Sequence, residues 1–323
     1  MNRDWIKALI EHEPLAKYTS WRIGGPARYL ANVAGPAELR AALAWAGERG
    51  LPVFLLGGGT NVLVRDAGWP GLVVRYRAQE LLVEPHGERA LARVGAGAPM
   101  AGTARRLARQ GWAGLEWAEG LPGTIGGALF GNAGCYGGDI ASVLERAWLL
   151  VGDAEEEWPV ERFGYGYRTS VLKPTNDQRP TTNERQPATE RGQDQPSFVA
   201  RRSSLVAHPI IIEAEFRLTR ADPRELAERM ERTAAERKRK TPWGSSCGSV
   251  FKNPPGDSAG RLIEAAGLKG ARRGAAEIAQ KHANYIVNLG GASSDDVLRL
   301  VELARETVLH RFGVELELEV QVI

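Results

Sequence analysis

Cysteine is nearly absent from this 323-residue chain: Cys135 and Cys247 are its only two. Two thiols exclude a disulfide scaffold and a thiolate metal site. The five histidines, His12, His86, His208, His282 and His310, lack metal-ligand spacing, so no metal is expected. His282, within Lys281-His282-Ala283-Asn284-Tyr285, reads as structural. No apolar run approaches the ~20 residues of a membrane helix. The opening MNRDWIKALIEHE has neither a continuous apolar stretch nor a cleavage site, so neither a signal peptide nor membrane insertion is expected. An excess of one charge is missing too. Lys and Arg total 42 against 39 Asp and Glu, and a formal charge of +3 is a weak field for nucleic acid. The expected location is the cytoplasm. No internal repeat is visible. The remaining composition, 43% hydrophobic and 25% charged, is that of a globular protein long enough for two or three domains.

Glycine is the residue in excess, with 38 copies, and it clusters. Outside the clusters the chain alternates helix and strand. Residues 36–49 have helical spacing through Leu39, Ala42, Leu43 and Ala46, and Gly50 ends them. Residues 51–56, 61–65, 71–76, 90–94, 145–151 and 209–218 predict strands, and 100–110 predict a helix stopped by Gly111. Residues 173–202 carry four prolines, four glutamines and few apolar side chains, a composition expected to be a disordered surface insertion. Residues 222–240 predict a helix capped by Asp222, with Pro223 and Glu225 in its first turn and Lys238, Arg239 and Lys240 at its C-terminal end. A second helix is expected over 294–311, ended by Gly313. Residues 314–322 alternate strictly, which predicts a strand with Glu315, Glu317, Glu319 and Gln321 on one face.

Five segments can carry chemistry. Gly57-Gly58-Gly59-Thr60-Asn61 follows a strand and leads into another, so it is neither a Rossmann turn nor a P-loop. Successive glycine amides can still cradle phosphate. The second cluster runs from Gly120 through Pro122, Gly123, Thr124 and Gly127 to Ala133, Gly134, Tyr136 and Gly138. Two such clusters suggest one extended ligand with a diphosphate. Arg168, in Tyr167-Arg168-Thr169-Ser170, can bind a carboxylate or enolate in bidentate fashion, or sit as a surface cation. Ser249, in Gly248-Ser249-Val250-Phe251-Lys252-Asn253-Pro254, can be a nucleophile, a proton donor or part of a plain loop. Phe251 stands where a nucleophile elbow needs glycine, which weakens a hydrolase reading. Spacing alone makes Glu319 part of a solvated strand face.

Together these segments resemble the UDP-N-acetylenolpyruvoylglucosamine reductase (MurB) family. The stretches that carry the resemblance are YTSWRIGGP from Tyr18, LGGGTNVLVRDAG from Leu56, GLEWAEGLPGTIGGALFGNAGCYGGD from Gly114, YRTS from Tyr167, GSVFKNP from Gly248, AGLKGARRGAAEIAQKHANYIVN from Ala266 and LELEV from Leu316. They span nearly the whole chain apart from the insertion. The resemblance implies an α+β fold: a two-lobed FAD-binding domain of the vanillyl-alcohol-oxidase type over residues 1–220, with lobes at about 1–76 and 77–220, and a C-terminal α/β substrate domain over 221–323. It implies non-covalent FAD, and no histidine adjoins the first glycine loop to suggest covalent attachment. NADPH is the implied co-substrate, and the reaction reduces an enolpyruvyl ether of a UDP-sugar. Ser249 matches the family's proton donor. Arg168 and Glu319 match the pair at the substrate carboxylate. Lys240 and Asn253 match substrate-binding positions, and Tyr136 is a further candidate. Gly57, Gly58, Gly59, Thr60, Asn61, Pro122, Gly123, Thr124, Gly127, Ala133 and Gly134 match the FAD loops. Cys135 replaces a common alanine, a change expected to be neutral. The insertion contains no tyrosine, so the chain better resembles the subgroup lacking the tyrosine-bearing substrate loop. A monomer is expected.

Two other readings compete. Another flavin oxidase or dehydrogenase of the same fold would share the glycine loops but has no need of GSVFKNP and LELEV together. A nucleotide-sensing or RNA-binding protein could use the basic end of the 222–240 helix. That cluster is equally a helix end complementing its own dipole.

Overall fold

Short Val-, Leu- and Phe-rich runs between turns build the first sheet. In the computed structural model, which describes residues 9–173 and 208–323, β1 (Ile10–Pro14) pairs antiparallel with β2 (Pro26–Val33). Helix α1 (Pro36–Gly47) follows; Pro36 opens it, and its Leu39, Ala42, Leu43 and Ala46 face is buried. Next come β3 (Val53–Leu55), the isolated β4 (Val62–Leu63) and β5 (Trp69–Tyr76), which lies between β2 and β3 and parallel to both.

The second sheet is antiparallel. Its elements are β6 (Leu81–His86) and β7 (Arg89–Gly95), helix α2 (Met100–Arg109), β8 (Trp112–Ala113), helix α3 (Ile125–Phe130), the small hairpin β9 (Gly134–Cys135) and β10 (Gly138–Asp139), the turn-length helix α4 (Ile140–Val143), β11 (Leu144–Val151), β12 (Ala154–Pro159) and β13 (Ile210–Arg220). The spatial order is β12-β11-β13-β7-β6, with β8 on the end of β13. Alternating Ala90, Ala92 and Val94 of β7 and Ala214, Phe216 and Leu218 of β13 bury one face against Leu107 of α2 and Leu129 of α3. Helix α5 (Pro223–Lys240) is capped by Asp222, whose carboxylate accepts from Arg224 N at 2.8 Å. Its Leu226 and Met230 join this same core.

The last part holds α6 (Ala259–Ala265), the meander β14 (Arg272–Arg273), β15 (Ala276–Ile278) and β16 (Ile286–Asn288), helix α7 (Ser294–Phe312) and β17 (Gln321–Val322). Ser293 and Asp296 form a capping box on α7, and Gly313 closes it at φ 68°. The strand expected over 314–322 is not continuous. Leu318 bridges Phe251, and only Gln321–Val322 forms strand, parallel to β4. The segment changes partner midway, so the expected polar face breaks up: Glu315 is exposed, while Glu319 turns inward with 16% of its side chain accessible.

Of the segment 173–202, expected to be disordered, Lys173 is ordered, its Nζ bonded to Arg168 O, and 174–202 lie outside the described residues. Among the described residues no helix is long and apolar enough to cross a membrane, and no group of three or more His, Cys, Asp or Glu could hold a metal.

Trp21 and Ile23, from the loop after β1, and Leu63 of β4 are buried in the core of this last part. Trp21 Nε1 donates to Ile286 O at 2.6 Å, and Asn288 Nδ2 donates to Trp21 O at 2.9 Å. Asp66 and Ser294 add a second tie, with Ser294 Oγ donating to Asp66 Oδ2 at 2.9 Å. Trp21→Phe keeps the ring but strands a buried carbonyl. A loss of about 1–3 kcal/mol is expected; an unchanged denaturant midpoint would show that this bond contributes nothing.

Candidate active site

The two glycine clusters meet. Leu56 N donates to Val74 O at 2.9 Å, which carries the backbone of β3 straight into Gly57. Gly57 and Gly58 are exposed. A Cβ on Gly58 would stand 2.6 Å from Gly123 Cα, one on Gly57 2.8 Å from Thr124 Oγ1, and one on Gly123 3.0 Å from Thr60 Oγ1. The loops therefore touch backbone to backbone, and side chains there would separate them. The second loop is fixed from behind: Met100 N donates to Gly123 O at 3.0 Å, and Gly126 N to Ala96 O at 2.8 Å. Thr124 caps α3, its hydroxyl accepting from Gly127 N. Pro122 is exposed beside Gly123. Gly59 faces the other way, its φ of 62° letting its carbonyl accept from Ser20 N at 2.9 Å. Ala133 and Gly134 lie beyond α3, where Gly134 pairs with Asp139.

Asn61 is turned to a different task. Its Nδ2 donates to Glu319 O at 3.0 Å, and its carbonyl accepts from Gln321 N at 3.1 Å. The first glycine loop is thus tied directly to the C-terminal segment.

Glu319 N donates to Val250 O at 2.9 Å and Lys252 N donates to Glu317 O at 2.8 Å, so LELEV runs alongside GSVF. This pairing lays the segment that carries Ser249 along the segment that carries Glu319. Asn284 holds GSVF from its other edge. Val250 N donates to Asn284 O, Phe251 N to Asn284 Oδ1, and Asn284 Nδ2 to Phe251 O, all between 2.8 and 2.9 Å. Asn284 is 3% exposed, and sequence reasoning missed it. The available signal was an amide in the apolar run Ala283 to Val287, which burial tolerates only when it is fully bonded.

Arg168 reaches Glu319 from the second lobe. Its hairpin is closed by reciprocal bonds between Gly166 and Thr169 and anchored by Ser170 Oγ donating to Phe130 O at 2.7 Å and Asn132 Nδ2 to Gly166 O at 3.1 Å. Arg168 sits at φ 57°, with Nε 3.2 Å from Glu319 Oε1, an ion pair whose N–H is not aimed at the oxygen. Burial pushes the Glu319 carboxyl up from its ordinary range, while Arg168, Lys173 and Lys252 oppose the shift. Lys173 and Lys252 were not foreseen. Lys173 Nζ donates to Arg168 O at 2.7 Å, and Lys252 pairs with Glu317 at 2.7 Å.

Tyr136 sits at φ 51° on the β9–β10 turn, 40% exposed, with the Arg237 guanidinium 5.3 Å from its ring centre. Arg237 Nε donates to Glu119 O at 3.2 Å and Nη2 to Cys135 Sγ at 3.2 Å; the thiol in turn donates to Trp117 O. Cys135 thus makes contacts that an alanine cannot make. A cleft of about 400 Å³ opens here, lined by Trp117, Tyr136, Arg229 and Arg232 among others. Lys240 is exposed and paired with Glu236 at 2.8 Å. Asn253 is exposed, and its Oδ1 accepts from Ala259 N at 3.1 Å. No bond brings Lys240 or Asn253 against the Arg168–Glu319 pair.

A guanidinium and a carboxyl from distant segments therefore meet, and the segment that carries the Ser249 hydroxyl runs alongside that of the carboxyl. Such a set can stabilise developing negative charge and deliver a proton. The cradle, with exposed Gly57 and Gly58 amides and the Thr60 and Thr124 hydroxyls, fits a flat cofactor with a diphosphate.

Comparison with known proteins agrees with this geometry. Residues 27–153 match the FAD binding domain family, and residues 238–323 match the C-terminal domain of UDP-N-acetylenolpyruvoylglucosamine reductase. The chain is 55% identical over 314 residues to the UDP-N-acetylenolpyruvoylglucosamine reductase of Chloroflexus aggregans, covering 97% of this chain and 96% of that one. It is 44% identical to that of Rubrobacter xylanophilus, over 96% and 94% of the two chains. The crystal structure of UDP-N-acetylenolpyruvylglucosamine reductase from Thermus caldophilus superposes with a TM-score of 0.75 at 33% identity, over 97% of both chains.

Gly58→Ala forces a methyl against Gly123 and should push the loops apart. The purified variant is expected to keep its fold by circular dichroism but to lose FAD on gel filtration. Full flavin occupancy would mean that the close approach of the loops is not needed.

Proposed function

The chain belongs to the UDP-N-acetylenolpyruvoylglucosamine reductase family, and from that premise we propose that Arg168, Ser249 and Glu319 are its catalytic residues. The protein is a flavin-dependent oxidoreductase. With NADPH as donor it reduces UDP-N-acetyl-3-O-(1-carboxyvinyl)glucosamine to UDP-N-acetylmuramate, a step of peptidoglycan synthesis. What supports the residue assignment is the Arg168–Glu319 ion pair together with the pairing of LELEV with GSVF, the segment that carries Ser249.

FAD held by the two glycine loops would supply to the terminal vinyl carbon of the substrate the hydride that NADPH provides. The protein then has two tasks. Negative charge develops on the neighbouring carbon and spreads into its carboxylate. Arg168, already fixed by its hairpin, meets that charge without reorganising. The Ser249 hydroxyl protonates the same carbon, so that hydride and proton together saturate the double bond. A hydroxyl is a weak acid, but the carbon is a strong base, and orientation supplies much of the remainder. Glu319 keeps Arg168 in place before substrate arrives.

The proposal includes the cofactor positions around Gly57–Gly59 and Pro122–Thr124 and a substrate role for Tyr136. Tyr136 lies on a cleft that also offers Arg229 and Arg232 to a charged sugar nucleotide. It also includes an FAD-binding part over 1–220 and a substrate part over 221–323, a cytoplasmic location and a monomer. Lys240 and Asn253 remain in it as outer substrate contacts, Lys240 by exchanging Glu236 for an anionic ligand.

An anaerobic absorbance experiment tests the activity. NADPH should bleach the bound flavin, and the enolpyruvyl sugar nucleotide should restore the oxidised spectrum. Bleaching without recovery would exclude that substrate. Ser249→Ala should leave bleaching by NADPH intact and slow recovery by about 10²–10⁴-fold; recovery at the parental rate would remove Ser249 from proton delivery.

A further inference from the structure

We propose that Lys173 is a positioning residue that holds Arg168 in the conformation the reaction needs. The proposal rests on the assignment of Arg168 above. Arg168 adopts φ 57°, a left-handed backbone that an arginine takes only when its surroundings impose it. Two devices impose it. One is the hairpin, in which Gly166 and Thr169 exchange backbone bonds across the turn. The other is Lys173, whose Nζ reaches back to donate to the Arg168 carbonyl at 2.7 Å. The lysine is itself placed by the chain. Lys173 N donates to Ser170 O at 3.1 Å, Leu172 N donates to Ser170 Oγ, and that hydroxyl anchors to Phe130 O. Its stem runs beside Gly131, where a Cβ would stand 3.4 Å from both Cε and Nζ.

An ammonium in this position has a cost. Burial pushes Lys173 down from its ordinary range, Lys252 and Arg168 push the same way, and only the Glu319 and Glu317 carboxylates oppose them. A hydrogen bond to a neutral carbonyl could be made by water at less expense. What the ammonium adds is direction: it fixes the peptide that follows Arg168 and so the line along which the guanidinium points at Glu319.

The test is a double-mutant cycle read by stopped-flow absorbance on the FAD-loaded protein. Lys173→Met should leave flavin reduction by NADPH unchanged and slow reoxidation by the enolpyruvyl substrate roughly 10–100-fold. Lys173→Arg, which keeps a charged donor, should recover most of the rate. The decisive arm is the pair with Arg168→Ala. Because Lys173 acts through Arg168, adding Lys173→Met to Arg168→Ala should slow reoxidation no further than about 2–3-fold. Multiplying losses would overturn the proposal, as would a parental rate in Lys173→Met or an equal fall of both half-reactions with flavin loss. Should Lys173→Met fail to fold, Lys173→Gln enters the same cycle and is judged by the same criterion. Parental protein that is bleached by NADPH but not reoxidised would defeat the functional assignment instead, and that control separates the two failures.

Discussion

The site depends on the path of the last seven residues. Of them only Gln321–Val322 is strand, yet backbone groups all along the stretch are bonded to other segments. Glu317 O and Glu319 N bond to the strand that carries Ser249. Glu319 O takes the Asn61 side chain, and Gln321 N and Ile323 N donate to Asn61 O and Leu63 O. Arg65 N returns a bond to Ile323 O at 2.7 Å. One stretch of chain therefore fixes, at once, the serine strand on one side and the exit of the first glycine loop on the other. Movement of the first glycine loop relative to the Ser249 segment would break this ladder, and each buried backbone group left unpaired has a desolvation cost.

That ladder also explains how a carboxylate comes to be buried. A strand with one polar face would leave Glu319 in water beside Glu315. By changing partner at Val320, the segment turns Glu319 inward toward Arg168 while Glu315 stays outside. The tie is reinforced from behind by the Trp21 plug and the Asp66–Ser294 clasp, which hold the first lobe to the helix that precedes this segment. The precision of the site is thus set by contacts between residues more than two hundred positions apart, none of which touches a reacting atom.

This is why the elements were more legible in the sequence than the site. Local signals were sufficient for α5 and α7: Asp222 with Pro223, and the Ser293–Asp296 box with Gly313, act within one helical turn. The strands 71–76, 90–94 and 145–151 declared themselves by β-branched and apolar runs. Glu319 could not. Its alternation with Leu318 and Val320 was real, but periodicity does not report a change of partner, and only the family resemblance singled it out. Composition showed that glycines clustered, yet only coordinates separate Gly58, which meets Gly123, from Gly131, which lies beside the Lys173 stem. Asn61, grouped with the cofactor loop by its motif, clamps the C-terminal segment as well. Asn284 left no pattern along the chain because it acts on a neighbour's backbone, and Lys173, the first residue of the polar segment expected to be disordered, is held by its bond to Arg168 O.

The electrostatics of the cluster then follow from counting its charges. Arg168, Lys173 and Lys252 surround two carboxylates, Glu317 and Glu319. With all five ionised, this group carries one positive charge more than it can neutralise. Burial strains both sides of the balance, pushing Glu319 up and Lys173 down. Solvent reaches Glu319 less than Glu317, and among the described residues the cluster holds one cation more than it has carboxylates. An incoming carboxylate supplies the missing charge. The arrangement is best balanced when a carboxylate is bound, and it gains more as further negative charge develops beside that carboxylate. Under the proposed assignment, the same surplus would serve both recognition of an anionic substrate and stabilisation of the charge that precedes protonation.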